Sequence, residues 1–216
     1  APTEIYPLSL HDALPIYRVK NNLQIIASLS SLQMSRSESE AVRAALQEGR
    51  RRVMAMALVH NELYDGSDLS RIDLGDLIRS FLGSMETNVG ETGPIDLQLE
   101  LPEAEFFMDI DGAVPLGLIL SEVLSNAYRH AFPGGRGGSI RISAGKGEAG
   151  TVQLEIADDG IGIAPPASRR DGLGLTIVES LATQLEGRFD LGAVPAGGTR
   201  FSLSFPLLRA GASRRS

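Results

Sequence analysis

The sequence contains no cysteine. That excludes disulfides, thiolate metal sites and cysteine nucleophiles, and it makes a cytoplasmic chain the expectation. No apolar run reaches the ~18 residues of a membrane span. The first residues also lack the basic-then-apolar pattern of a secretion signal. Basic blocks are missing too: the net charge is -7, which argues against nucleic acid as a partner. What the 216 residues do contain is 43% hydrophobic residues, normal for a globular chain long enough for one or two modest cores. The 24 glycines are concentrated between Gly134 and Gly198, so the two halves of the chain differ in kind.

The front half reads as two helices. From Arg18 to about Met34 there is no Gly or Pro, and Val19, Leu23, Ile26 and Leu29 keep helical spacing, widened by Ile25 and Leu32. "SRSESE", Ser35 to Glu40, is a polar turn offering Ser37 and Ser39 as N-caps. Val42, Leu46, Gly49, Val53, Met56, His60 and Leu63 then alternate steps of four and three, as along a coiled-coil seam, until "DGSD" (Asp65 to Asp68). So short a hairpin has little core of its own, and pairing with a second copy into a four-helix bundle is expected. Periodicity alone fits a plain structural hairpin equally well.

A third helix is expected over Asp73 to Met85. Strands follow at Ile95–Leu101 and Phe106–Ile110, and a long apolar helix at Gly112–Phe132. A hairpin (Ser139–Gly145 with Thr151–Asp159), a helix entered through glycines (Gly172–Gly187) and a second hairpin (Arg188–Val194 with Gly198–Leu207) complete the pattern. Helix, two strands, helix, two strands predicts an α+β domain, a sandwich whose mixed sheet carries helices on one face. The predicted division is 17–68 for the helical hairpin, 73–207 for the sandwich and 208–216 for a frayed tail.

Four short motifs fall in the back half. Glu122 and Asn126 are four apart on one helix face, beside the apolar Leu116, Leu120, Val123 and Leu124. An Asn carbonyl suits Mg²⁺ that is otherwise held by water and phosphate; two surface polar residues fit the same spacing. "DDGIG" ends a strand: Asp158 can accept from an exocyclic amine, and Gly160 and Gly162 allow a sharp turn and close approach to a ligand. An ordinary acidic turn is the alternative. "GLGL" (Gly172, Leu173, Gly174, Leu175) opens a helix whose free N–H groups suit phosphate, a weak signal when alone. "GGTRF" puts the Thr199 hydroxyl on the last hairpin, where a simple turn is equally plausible.

In this order and on these elements, the four resemble the N box, G1 box, G2 box and GT motif of the GHKL (Bergerat-fold) ATPases. "SEVLSNAYRHAFP" with "ADDGIGI", "GLGL" and "GGTRF" is most similar to the histidine-kinase branch. "YRVKNNLQIIASLSSLQ" resembles the "HRVKNNLQ" dimerisation and phosphoacceptor region of sensor histidine kinases related to the HWE group, and "RRRVMAMALVHNELYDGSDLSRIDL" (Arg50 to Leu74) its second helix and exit. The resemblance runs from Tyr17 to about Pro206. The tryptophan that names the HWE group is absent, which places the chain in the neighbouring subfamily. The resemblance implies a homodimer that binds ATP and Mg²⁺ between the Asn126 helix and a lid at Ile163–Asp171. Asp158 would read the adenine amine, Asn126 would hold Mg²⁺, and the 172–175 backbone would meet phosphate. Glu122 would act at the γ-phosphate. His130 is either near the phosphates or a helix-end histidine favoured by the dipole, and His60 is a seam residue that could assist. The phosphoryl group would pass to a histidine on the first helix and then to an aspartate of a response regulator, under an upstream sensor domain such as PAS or GAF. Within the superfamily, an ATPase or anti-sigma-type serine kinase is a further alternative, against which the Arg18–Tyr64 hairpin argues.

The family's acceptor histidine directly precedes "RVKNN"; here that position is Tyr17. Imidazole, pKa ~6.5, is nucleophilic near neutrality, whereas a phenol, pKa ~10, needs a base. The chain as it stands is therefore expected to bind ATP and to fail at normal autophosphorylation, which also fits an ATP-binding dimeric pseudokinase scaffold. "LSLHDALPI", Leu8 to Ile16, is what CTT TCC CTA CAC GAC GCT CTT CCG ATC encodes, the end of a widely used sequencing adapter that finishes with one more T. "APTEIYP" before it departs from the adapter's translation only at Pro2 and Pro7. A leftover T over the first base of CAC or CAT gives a tyrosine codon. Residues 1–16 are thus expected to be adapter-derived, and Tyr17 a histidine with one base replaced.

Overall fold

The structure is a computed structural model that describes residues 10–65, 71–86, 94–101, 106–163, 173–195 and 197–207. The chain separates into two compact units, divided between Asn61 and Glu62.

The first unit is helical. Helix α1 spans Leu10–Arg36, so its backbone begins eight residues before the expected start at Arg18. The added segment has no glycine. In α1 the hydroxyls of Ser28, Ser30 and Ser31 each donate to the carbonyl four residues back, which satisfies them without a tertiary partner. Helix α2 spans Glu40–Asp65. Ser39, not Ser37, caps it: the Val42 N–H donates to Ser39 Oγ at 3.4 Å. Within the single chain the expected stripe is poorly covered. Val19, Ile25, Ile26, Leu29 and Leu32 of α1 and Val42 of α2 are exposed, whereas Leu63 at the far end of the α2 seam is buried.

The second unit holds the sheet. A two-residue strand β1 (Ile72–Asp73) leads directly into α3 (Leu74–Glu86). Asp73 joins two elements there: Oδ1 accepts from Asp76 N–H at 3.1 Å, capping α3, and Oδ2 accepts from Phe106 N–H at 3.1 Å. Strands β2 (Ile95–Glu100) and β3 (Phe107–Met108) follow. The segment expected as a strand to Ile110 is cut short, because Asp109 caps α4 by accepting from Gly112 N–H at 2.9 Å. Nor does β3 join the main sheet; it pairs with β1 in a separate two-stranded ribbon that the sequence reading missed. Two-residue strands carry too few side chains to show a period.

Helix α4 (Ile110–Asn126) is buried along most of its length and continues as one π-helical turn, Ala127–Ala131. By length and composition the run Ile110–Ala131 could cross a bilayer, contrary to the expectation from apolar runs, but most of it is buried inside the unit as a core helix. Strands β4 (Gly138–Lys146) and β5 (Thr151–Asp158), helix α5 (Leu173–Gln184), and strands β6 (Arg188–Ala193) and β7 (Thr199–Pro206) complete the domain. The five-stranded sheet has the order β2-β4-β5-β7-β6, with β2 parallel to β4 and the other pairs antiparallel. This is the expected mixed sheet. Ile140, Ile142, Val152, Leu154, Ile156, Phe201, Leu203 and Phe205 alternate onto one buried face, in register across β4, β5 and β7.

His60, on the α2 seam, has its Nδ1 buried without a hydrogen bond among the described residues. Burial holds its pKa below the usual value of 6.5. The folded state therefore prefers the neutral ring, so stability is full above about pH 6.5 and falls as pH drops through the lower folded value. We expect an NMR titration of the His60 ring to give a midpoint below that of an unfolded peptide. Thermal stability should fall from pH 7 to 5.5, and His60→Gln should lessen that fall; an unshifted midpoint would contradict this reading.

Candidate functional site

The site starts from the two-residue period of β5. Val152, Leu154 and Ile156 point to the buried face, so Asp158, two residues further, takes the next inward position, opposite Ile140 of β4. Its carboxylate ends an apolar row. Asp158 Oδ1 accepts from Gly160 N–H at 3.0 Å and from Thr199 N–H at 3.1 Å. Both bonds go to one oxygen, which leaves Oδ2 for a ligand.

Asp159 points the other way. It accepts from Ser139 N–H at 2.7 Å and from Ser139 Oγ–H at 3.0 Å, and its backbone carbonyl accepts from Arg136 at 3.3 Å. The Ser139 N–H is the main reason its pKa lies below the usual 3.8. Of the two adjacent acids, one fastens the turn to β4 and the other faces the interior.

Three backbones meet around Asp158 with no side chains between them. Gly198 has φ +93°, and a methyl group there would stand 1.9 Å from the Asp158 carbonyl oxygen. Gly162 has φ +77° and lies against the Gly198 carbonyl, 3.0 Å from where a methyl would be. Gly160 is buried against the last residue of the π-helical turn: a methyl would stand 2.4 Å from the Ala131 carbonyl oxygen. That neighbour, rather than a ligand, is what Gly160 is seen to approach.

These elements enclose a cavity of about 350 Å³. Asn126 and His130 line it from the end of α4 and the π-helical turn, Asp158 and Thr199 from the strand ends, and Gly162, Gly174 and Leu175 from the turn and α5. Seven of the residues singled out from sequence thus share one cavity. Leu173 is exposed and off its wall. Glu122 is buried and off the wall as well, its carboxylate packed behind Gly174, where a methyl would stand 2.9 Å from Oε2. Gly172 and most of the expected lid, 164–171, lie outside the described residues, as does the side chain of Tyr17.

The motif reading missed the apolar walls. Val123 and Ala127 form one side; Ile156, Leu191 and Phe201 form the other. The signal was present: Val123 and Ala127 sit three before and one after Asn126 on the same helix face, and Ile156 and Phe201 are inward-pointing partners across β5 and β7. A cavity with apolar walls and the Asp158 carboxylate among its lining residues suits an aromatic heterocycle bearing an amine, while the start of α5 and the Asn126 and His130 side chains suit an attached anion.

Gly198→Ala should be among the most destabilising single-methyl changes in this domain. The positive φ alone costs roughly 1–3 kcal/mol, and the methyl would also displace the Asp158 carbonyl. Gly192, with no atom nearer than 3.8 Å to an added methyl, is the control. Urea denaturation should show a clear drop in midpoint for Gly198→Ala and little change for Gly192→Ala; equal midpoints would contradict the packing described.

Comparison with known proteins identifies the family. Residues 17–89 match the family model described as "Histidine kinase". Residues 112–209 match the model described as "Histidine kinase-, DNA gyrase B-, and HSP90-like ATPase". The chain is 34% identical over 199 residues to the sensor histidine kinase PdtaS of Mycolicibacterium smegmatis, covering 89% of this chain and 39% of that protein. It is 26% identical over 188 residues to blue-light-activated histidine kinase 2 of Erythrobacter litoralis, covering 85% of this chain and 52% of that one. The chain therefore spans about two fifths to one half of these curated relatives. Among solved structures, the histidine kinase domain of the Erythrobacter litoralis EL346 blue-light activated kinase superposes with a TM-score of 0.66 at 22% identity, covering 89% of this chain and 94% of that one, a likeness of fold. With both its helical region and its sheet domain matched to histidine kinase models, the chain belongs to the histidine kinases and constitutes a catalytic core of that family.

Proposed function

We propose that this core binds ATP in the cavity below Asp158 and, with histidine at position 17, transfers the γ-phosphoryl group to that residue. The observation that carries the nucleotide reading is the Asp158 geometry. Two backbone N–H groups hold one carboxylate oxygen, and the other is left to accept the adenine amine between the apolar walls. One solved structure of similar fold, ShkA, was determined in complex with AMPPNP, which supports a nucleotide in this fold. Asn126 lies at the cavity edge where phosphates would extend, and its amide oxygen fits Mg²⁺ held chiefly by phosphate and water. Gly174 and Leu175 offer backbone at the start of α5, with Gly172 and Leu173 completing that motif in sequence. His130 stands beside the same edge, and Glu122, buried behind Gly174, would act on the phosphate end from outside the cavity wall.

In the transfer, the bond between the γ-phosphorus and its bridging oxygen breaks, a P–N bond to imidazole forms, and ADP leaves. The group would then pass to an aspartate of a response regulator. The exposed apolar residues on α1 and α2 support a homodimer through this hairpin. The relatives' greater length supports a sensor domain upstream, and the need for ATP and a response regulator supports a cytoplasmic setting. Residues 17–68 would serve as the dimerisation and acceptor region and 73–207 as the ATP-binding domain.

Tyr17 favours a second reading: an ATP-binding dimeric scaffold that regulates a partner without phosphotransfer. We attribute Tyr17 instead to a junction with adapter-derived residues 1–16. Sequencing reads showing a native tyrosine codon in non-adapter DNA would remove that explanation. Incubation with γ-labelled ATP separates the activities. Acid-labile label on the Tyr17→His protein alone supports the kinase; no label on either supports the scaffold; acid-stable label on an added partner protein points to a serine kinase.

A further inference from the structure

The turn from Asp158 to Gly162 and the end of α4 are joined at one point, Ala131, which lines the cavity next to His130. The Ile161 N–H donates to the Ala131 carbonyl at 3.0 Å. Ala131 is the last residue of the π-helical turn and is buried. Gly160 rests directly on it: an added methyl would stand 2.4 Å from the Ala131 carbonyl oxygen and 2.5 Å from its Cβ. The following residue, Phe132, has left helical geometry, with φ -124° and ψ 61°. The π-helical turn therefore ends where its final carbonyl is captured by the turn after β5.

That contact lies between the two ends of the cavity. On one side of it is Asp158, whose Oδ1 is fixed by the Gly160 N–H. On the other is His130, the residue before Ala131, with Asn126 one turn earlier. A π-helical turn advances about 4.4 residues rather than 3.6, and such turns occur mostly singly within α-helices, frequently at functional sites. Residues four apart lie more nearly in line along it, which suits Asn126 and His130 sharing one edge of the cavity. The Ala131–Gly160–Ile161 contact anchors the end of this turn.

We propose that Ala131, through its contact with Gly160 and Ile161, is a positioning residue that sets the distance between the base-reading carboxylate and the phosphate-facing edge of the cavity. It does so without a polar side chain of its own. The bare Gly160 lets the two backbones touch, and the hydrogen bond fixes how the helix end is wound. A spacer inserted at this junction should separate the ends of the cavity while leaving each intact. It should then cost a ligand that engages both ends more than a ligand that engages only one.

This inference rests on the nucleotide reading. The test compares the dissociation constants of ATP with Mg²⁺ and of adenosine, by titration calorimetry, for the unaltered chain, Ala131→Val and Ala131→Gly. Adenosine reports the Asp158 end; ATP reports both. For Ala131→Val we expect ATP affinity to fall by about tenfold or more and adenosine affinity to change by less than about threefold. Ala131→Gly keeps the carbonyl and adds no bulk, so it should retain the ratio of the unaltered chain. Circular dichroism melts identify a variant that fails to fold, and should Ala131→Val do so, the smaller Ala131→Ser carries the comparison. Equal losses for both ligands, or no loss for either, would overturn the positioning role and leave the nucleotide reading intact. Failure of the unaltered chain to bind either ligand would overturn both.

Discussion

One oxygen of the Asp158 carboxylate accepts from two backbone N–H groups that are 39 residues apart in sequence, those of Gly160 and Thr199. Much of the site depends on this. A carboxylate at the end of an apolar row is costly unless its hydrogen bonds are made, and here the backbone makes them at a fixed angle. The local bond shapes the turn after β5. The long-range bond ties that turn to the start of β7, and the bare backbones of Gly162 and Gly198 let the two loops close on each other. The remaining oxygen is then aimed by strands rather than by a flexible side chain, which is the preorganisation that selective recognition needs.

The two adjacent acids show how the pleat divides labour. Asp159 is directed outward and used to fasten the turn to Ser139 of β4. Asp158 is directed inward and kept for the cavity. Beyond them, α4 contributes one face that is apolar at Val123 and Ala127 and polar at Asn126 and His130, and its π-helical ending brings that face up to the same turn. The helical unit meets a different constraint. Ile25, Leu29 and Val42 remain open to solvent in the single chain, and they are the residues that the proposed homodimer would cover.

Much of this was legible in the sequence. Period-2 alternation located β2 and the four strands of the hairpins, and the glycines of "DDGIG" and "GGT" marked the turns that meet. The order of the motifs along the chain is itself enough to point to the family. Other features were hidden for identifiable reasons. The β1–β3 ribbon is too short for a period to register. Asp109 as a cap moved the start of α4, and a helix start at Leu10 extended α1 into a segment that the sequence reading had set apart. The apolar walls at Ile156, Leu191 and Phe201 read as ordinary core, since lining a cavity and filling one require the same residue types. The role of Gly160 against Ala131 depends on two segments 29 residues apart coming into contact, which no local pattern encodes.

The central claim is that the free oxygen of Asp158 reads an amine on a purine ring. The most direct measurement leaves the protein unaltered and removes the amine from the ligand, by comparing ATP with purine riboside triphosphate, which has hydrogen at the same ring position. A lost hydrogen bond to a charged acceptor is worth ~1.5–3 kcal/mol, so ATP should bind about tenfold tighter or more. Equal affinities would contradict the account.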